Sequence, residues 1–342
     1  MRIFMKFVLA GIIFLLASEW GLRLFKDQIG VYYPAFKTFP PIYAKSDTNT
    51  FALEPDTDAR HYNYFNEFIK DYHINSAGYR GGNTGGSIIM FGDSFIFGTG
   101  LNDDETVAQR LEKLTGEKVL NAGVPGYSVD NAYVAMKGHD PSKITILGVF
   151  LGNDAADIKG HKWVTDDRGL PVKLIDKNFV IDDHHHRTSG NASTSYWKYF
   201  LRTRSYLYTV FSESRYKLKW KLQTLMQLLT RARASAETKT AVKPADISKD
   251  EAAQKMELLL AEIGRTHPRL LVAIIPSVRH TDYENALEKR LLNFMRQNAI
   301  EYMVLPDAPD GLSYTRDCHW TPEGARLMAG AIYGKLKELC WL

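Results

Sequence analysis

From residue 87 onward the chain alternates between two hydrophobic rhythms. Ile88, Ile89, Met90 and Phe91 form an unbroken apolar run that ends in Gly92-Asp93-Ser94, with Gly98 four residues after the serine. A short apolar run bounded by turn residues predicts a buried strand over 87–91, then a tight turn carrying an exposed hydroxyl. Val107, Ala108, Leu111 and Leu114 then recur at helical spacing behind Asp103, Asp104 and Glu105. Acidic residues at the dipole-positive start agree with a helix over 106–114. Val119 and Leu120 predict a second strand, which runs into a loop dense in turn residues over 121–128. A helix is expected over 130–137, and the β-rich run 144–151 reads as a buried strand ending in Gly152-Asn153-Asp154. The rhythm stops near 158 and resumes with a helix over 251–263, a strand over 270–275, a helix over 286–295 and a strand over 302–305. Thr321 can cap a final helix with Pro322 at its first position. Ala325, Leu327, Met328, Ile332 and Leu336 suit its buried face.

Strands alternating with helices imply a parallel sheet with right-handed crossovers. The expected fold class is therefore α/β: a three-layer α/β/α, flavodoxin-like sandwich around a sheet of about five strands. It occupies residues 87–342 and is interrupted by an insertion over 158–249. That insertion holds a polar loop, an aromatic and Lys/Arg-rich stretch over 196–233 expected to be helical, and a solvated linker over 234–249. Residues 28–86, rich in Tyr, Phe, Pro, Asn and Asp without a sustained period, read as an irregular segment that wraps the domain. No chemistry is expected of them.

Composition changes this picture little. A hydrophobic fraction of 45% and a charged fraction of 24% are those of an ordinary globular protein. Forty-three basic against 39 acidic side chains leave a net charge of +4, too mild to argue for nucleic acid. Two cysteines, Cys318 and Cys340, make no disulfide framework. The amino terminus is more telling. Arg2 and Lys6 precede an apolar run over 7–17, and Glu19, Arg23 and Lys26 follow it. Such a start reads as a signal peptide or a signal anchor. Leu16 stands where a small residue should precede a cleavage point, which favours an uncleaved anchor over 1–27. An amphipathic helix packed on the domain is the alternative. Segments of this kind lead a chain out of the cytoplasm, so an extracytoplasmic catalytic domain is expected.

Four candidate features carry chemistry. Ser94 sits where a parallel strand ends, the place at which open α/β sheets put their sites. His319 lies just before the final helix in Arg316-Asp317-Cys318-His319-Trp320. Nucleophilic hydrolysis needs a base for the serine proton and an acid to orient the imidazole. Asp317 and His319, two apart in an extended loop, can point the same way. Gly126 and Asn153 follow the second and third strands and could offer a backbone and a side-chain amide to an oxyanion. Singly, each of these reads as a cap, a structural hydrogen bond or loop punctuation.

Their order along the chain resembles the SGNH (GDSL-type) hydrolase family, named for Ser, Gly, Asn and His, here Ser94, Gly126, Asn153 and His319. The resemblance covers roughly 87–158 and 270–336. It implies a Ser94 nucleophile, a His319 base, an Asp317 acid and an oxyanion hole of the Ser94 amide, the Gly126 amide and the Asn153 side chain. Many members space acid and base as Asp-x-x-His. This chain has Asp-x-His followed by Trp, which looks like the variant of the bacterial alginate O-acetyltransferase relatives. The implied activity is a serine esterase acting on acyl, often acetyl, esters of a glycan or a small ester, without metal or organic cofactor. An O-acetyltransferase that passes the acyl group to a polysaccharide hydroxyl is the alternative, and a catalytically silent glycan-binding scaffold a third.

Other features compete less well. Asp182, Asp183, His184, His185 and His186 are metal-ligand types, but neighbours in one loop rarely chelate as a set. The basic and aromatic residues of 196–221 could lie on a membrane surface or bind an anionic glycan, or simply pack as helices on the domain. Asn191-Ala192-Ser193 fits a glycosylation acceptor, a common string. Cys318 reads as a small residue between acid and base.

Overall fold

The computed structural model describes residues 2–25, 38–40, 42–63, 67–158, 162–165, 171–175, 178–180, 205–208, 210–211, 214–215, 218, 250–278, 280–308 and 311–342. The chain divides into two compact units. One comprises Met1–Phe39 and Asp183–Lys243, the other Pro40–Asp182 and Pro244–Leu342.

In the first unit, α1 (Arg2–Leu24) is long and apolar enough to cross a membrane over Phe4–Leu24, with a mean hydropathy of 1.7. Its apolar side chains, among them Phe4, Phe7 and Phe14, stand exposed. Glu19, near its end, does not lack partners. Its carboxylate accepts from the Ser205 hydroxyl and from the Tyr206 and Leu207 N–H groups at 2.9–3.0 Å. Arg23 pairs with the same carboxylate and lies over the Tyr206 ring.

The second unit carries a five-stranded parallel sheet. Its strands are β3 (Ile88–Gly92), β4 (Val119–Gly123), β5 (Ile144–Phe150), β9 (Leu270–Ile275) and β10 (Glu301–Val304). Before them lies an antiparallel hairpin, β1 (Thr57–Tyr62) with β2 (Ile69–Ile74), so the segment read as irregular contains regular structure. The early part of the insertion, expected to be a polar loop, is an antiparallel meander of β6 (Lys162–Thr165), β7 (Pro171–Ile175) and β8 (Asn178–Val180). The Asp182–His186 run, Asn191 and the linker 234–249 lie outside the described residues, as does most of 196–233.

The sheet order is β10-β9-β5-β3-β4, every neighbouring pair parallel. In order of appearance this is 2-1-3-4-5, the flavodoxin-like winding, whose switch point falls between β3 and β5. Both faces are covered, which explains the unbroken apolar runs. Ile89, Phe91, Leu147, Val149, Val272 and Ile274 face one layer, formed by α4 (Val129–Met136), α5 (Asp154–Ile158), α6 (Glu251–Thr266) and α7 (Asp282–Gln297). Ile88, Met90, Ile144, Ile146, Leu271 and Ala273 face the other. That layer is α2 (Ser94–Phe97), α3 (Val107–Thr115) and α8 (Pro322–Glu338). Only β10, at the edge, mixes exposed with half-buried positions. Thr106 caps α3, and Thr321 caps α8 with Pro322 behind it.

One contact sets the geometry of the β3–α2 turn. A Cβ at Gly123 would lie 2.3 Å from the Phe97 nitrogen and 2.7 Å from the Ile96 carbonyl carbon. The end of β4 can therefore meet the backbone of α2 only without a side chain. Gly123→Ala is expected to cost about 2–3 kcal/mol of stability, because backbone rather than a flexible side chain must move. Gly330→Ala, in the middle of α8 with nothing nearby, should instead add about 0.5–1 kcal/mol. Chemical denaturation of the two full-length variants checks both signs.

Candidate active site

Ser94 opens α2 immediately after β3, and the reason is local. Asp93 caps the helix by accepting the Phe95 N–H at 2.9 Å, and Gly98, at φ 87°, ends it after one turn. Phe95, Ile96 and Phe97 bury themselves against the sheet and the helix layer. Ser94 alone in this turn stays half-exposed.

His319 arrives from the other end of the chain. Trp320, 3% exposed, is driven into the core beside Phe95, and the Phe95 ring also lies 4.9 Å from the imidazole. His319 Nε2 stands 2.8 Å from Ser94 Oγ, and Nδ1 is hydrogen-bonded to Asp317 Oδ1. With Nδ1–H donating to the carboxylate, Nε2 is left to accept the serine proton. The loop that makes this possible is not extended, as the sequence suggested. Cys318 sits at φ +70°, the left-handed region. That reversal lets side chains two apart converge.

Charge is arranged around this line of groups. Burial opposes a charged imidazole, but the Asp317 carboxylate, its hydrogen bond and then Asp93 outweigh it, raising His319 above its ordinary value. Burial would likewise raise Asp317. The charge and hydrogen bonds of His319, with the charge of His61, hold it below the ordinary carboxylate range instead. Beneath the serine, burial pushes Asp93 up to about 6. Asp154, buried to 1% exposure beside it in charge, is driven well above its ordinary value by burial and then by Asp93. Asp93 Oδ2 and Asp154 Oδ1 are both buried without a hydrogen-bond partner among the described residues. Asp154 Oδ2 accepts the Phe150 N–H at 3.0 Å.

Gly126 and Asn153 are brought to the same edge. β4 and β5 flank β3 on either side, so the loops that follow them border the Ser94 turn. Gly126 stands at φ 89°, where a side chain would strain the backbone. Asn153 is half-buried, with Oδ1 inside and unpartnered among the described residues. An apolar crevice of ≈ 10 Å³ lies beside the site, lined in part by Phe95, Phe150, Ile275, Cys318 and Trp320.

Two side chains that the sequence reading passed over also meet the 316–319 loop. Asn63, after β1, donates from Nδ2 to Asp317 Oδ2 at 2.7 Å. The Glu67 carboxylate accepts the Asp317 and Arg316 N–H groups at 2.9 and 3.1 Å. Nothing in their local pattern announces this, since the partners lie some 250 residues downstream.

Protein-family models give no match to this chain, and neither do the curated proteins. Solved structures give partial likenesses of fold. A G-D-S-L family protein from Desulfitobacterium hafniense is 11% identical, with a TM-score of 0.40 over 72% of this chain and 97% of that one. An acetyl xylan esterase from the rumen bacterium Butyrivibrio proteoclasticus is 10% identical, with a TM-score of 0.38 over 78% and 68%. A carbohydrate esterase family 2 enzyme with its carbohydrate binding domain, from Corynascus thermopiles (Myceliophthora fergusii), is 9% identical, with a TM-score of 0.40 over 78% and 71%. The chemistry that follows is read from this chain's own residues.

The buried carboxyl pair yields a prediction. Asp154→Asn keeps the shape of a neutral acid and should change the unfolding free energy by less than about 1 kcal/mol. Asp154→Ala strands the Phe150 N–H and should cost about 1–3 kcal/mol. Equal losses in denaturant titrations of the two variants would contradict a neutral Asp154.

Proposed function

We propose that this chain is a serine acyl-ester hydrolase working through an acyl-enzyme at Ser94. The observation that carries the reading is the 2.8 Å approach of His319 Nε2 to Ser94 Oγ, with Nδ1 bound to Asp317. In the first step Oγ attacks the acyl carbonyl carbon while Nε2 takes its proton. The imidazolium so formed faces Asp317, which stays ionised. Negative charge on the former carbonyl oxygen is met by the Ser94 and Gly126 amides and the Asn153 side chain. Collapse breaks the ester bond, and His319 returns the proton to the departing alkoxide. Water then repeats the sequence in reverse roles: His319 deprotonates it, it attacks the acyl carbon, and Ser94 leaves with the proton.

The acyl group we assign is an acetyl on a glycan or a small alcohol, the substrate that the order of Ser94, Gly126, Asn153 and His319 suggests. The apolar α1 supports membrane anchoring, with the catalytic unit on the extracytoplasmic, periplasmic side. A second reading keeps the acyl-enzyme and replaces water by a polysaccharide hydroxyl, making the protein an O-acetyltransferase. The Asp317-Cys318-His319-Trp320 spacing favours it.

A fluorophosphonate probe should label the full-length protein at Ser94, and Ser94→Ala should abolish the label. His319→Ala should fold yet turn over short acyl esters about 10²–10⁴-fold more slowly. In the wild type kcat/KM should rise with pH along a limb whose midpoint lies above the ordinary imidazole value, because the base works deprotonated and its pKa is raised. Absence of labelling would sink the nucleophile. Acetyl release with and without a saturating glycan acceptor separates the two readings: release to water alone, unchanged by acceptor, rejects the transferase.

A further inference from the structure

The segment before the sheet contributes more than cover. β1 and β2 pair from Thr57↔Ile74 to Tyr62↔Ile69, and their connection brings Asn63 against the loop that carries Asp317 and His319. Asn63 is 2% exposed. Its amide has a determined orientation, because Oδ1 accepts the Glu67 N–H at 3.2 Å; the Asn63 backbone N–H is separately held by the Phe68 carbonyl at 3.1 Å. Nδ2 is thereby the end turned to Asp317, 2.7 Å from Oδ2. The other oxygen of that carboxylate is the one bound to His319. Both oxygens of a largely buried acid are thus held, one by the base and one by Asn63. Glu67 fixes the backbone beneath them through the Arg316 and Asp317 N–H groups.

A donor on the charged form of a carboxylate favours that form and fixes its plane. Asn63 does this without bringing a positive charge that would compete with the imidazolium. We propose that Asn63 is a positioning residue of the Ser94–His319–Asp317 constellation, aiming Asp317 at His319 from the β1–β2 hairpin. The proposal rests on that constellation being the catalytic one. The Asn63 side chain donates to Asp317, so its effect on the base passes through that carboxylate. The titratable groups facing the Asp317–His319 pair are His61 and Tyr72 from the hairpin, Glu67 from its connection, Tyr314 from the preceding loop and Asp93 beside Ser94. Of these, Glu67 touches Asn63, through its backbone N–H on Asn63 Oδ1.

The test uses the full-length protein and two substitutions, Asn63→Leu and Asn63→Asp, with short acetyl esters as substrate and unfolding curves as a control. Asn63→Leu removes, at similar volume, both the donor to Asp317 and the acceptor for the Glu67 N–H. Its kcat should fall about 10–100-fold, the usual loss for an outer-shell partner, with KM changed less than about threefold. Asn63→Asp sets a second carboxyl against Asp317. Two buried carboxyls in contact do not both ionise, so the new acid keeps a proton and still donates. The variant's kcat near neutral pH should exceed that of the leucine variant and fall at higher pH as the second acid ionises, a basic limb that the wild type lacks. A merely structural role would give the two variants equal losses and no such limb. Asn63→Leu that folds and keeps kcat within about twofold of wild type overturns the proposal. So does Asn63→Asp that folds but loses as much near neutral pH as at high pH, which decides the matter even if the leucine variant is unstable. Failure of the underlying reading looks different: wild-type activity that persists in Ser94→Ala removes the constellation, and Asn63 with it.

Discussion

The candidate site turns on one hydrogen bond, between His319 Nε2 and Ser94 Oγ, which joins positions 225 residues apart. Ser94 is presented by a single buried helical turn, closed at one end by Asp93 and at the other by Gly98. His319 is presented by a loop whose next residue, Trp320, is buried against Phe95 in that same turn. The aromatic packing that holds the two halves together is thus also what sets the distance between His319 and Ser94. A loop anchored by burial at one residue and by a helix cap at Thr321 has little freedom left.

Beneath that line the unit keeps an unusual amount of acid out of water. Asp93, Asp154 and Asp317 are all buried or nearly so, yet they are pushed in opposite directions. Asp317 has an imidazole and an amide donor and is held ionised. Burial raises Asp93 against the Phe95 N–H and His319, and burial with the Asp93 charge drives Asp154 well above its ordinary value. Paired carboxyls whose surroundings separate their proton affinities are what acid–base chemistry needs. Here the separation keeps negative charge on Asp317, which faces His319.

The layers of the fold were legible because both faces of the sheet are covered. Strands such as β5 and β9, buried along almost their whole length, show as continuous apolar runs, and the helices between them show as amphipathic periods with polar caps. Ser94, Gly126, Asn153 and His319 could be named because each follows a strand or precedes a helix, and a parallel sheet gathers those positions at one edge. Residues 57–74 were misjudged for a physical reason. Thr57, Asp58, Ala59, Arg60, His61 and Tyr62 do not alternate cleanly between apolar and polar, and the hairpin draws on Arg60–Asp71 pairing and ring contacts that leave no period to read. The loop at Cys318 was misjudged because nothing in Asp-Cys-His foretells a left-handed residue.

By itself the sequence determined the alternation of elements, the apolar faces that must be buried, the apolar amino-terminal helix and the residue types available for chemistry. These follow from local propensity and from the hydrophobic effect acting at fixed periods. Tertiary structure alone decided the strand order that places β3 between β4 and β5, the reversal at Cys318, and the arrival of Asn63 on Asp317 across 254 residues. Distances of a few ångströms between groups so far apart in the chain depend on how whole layers pack, and no local pattern encodes them.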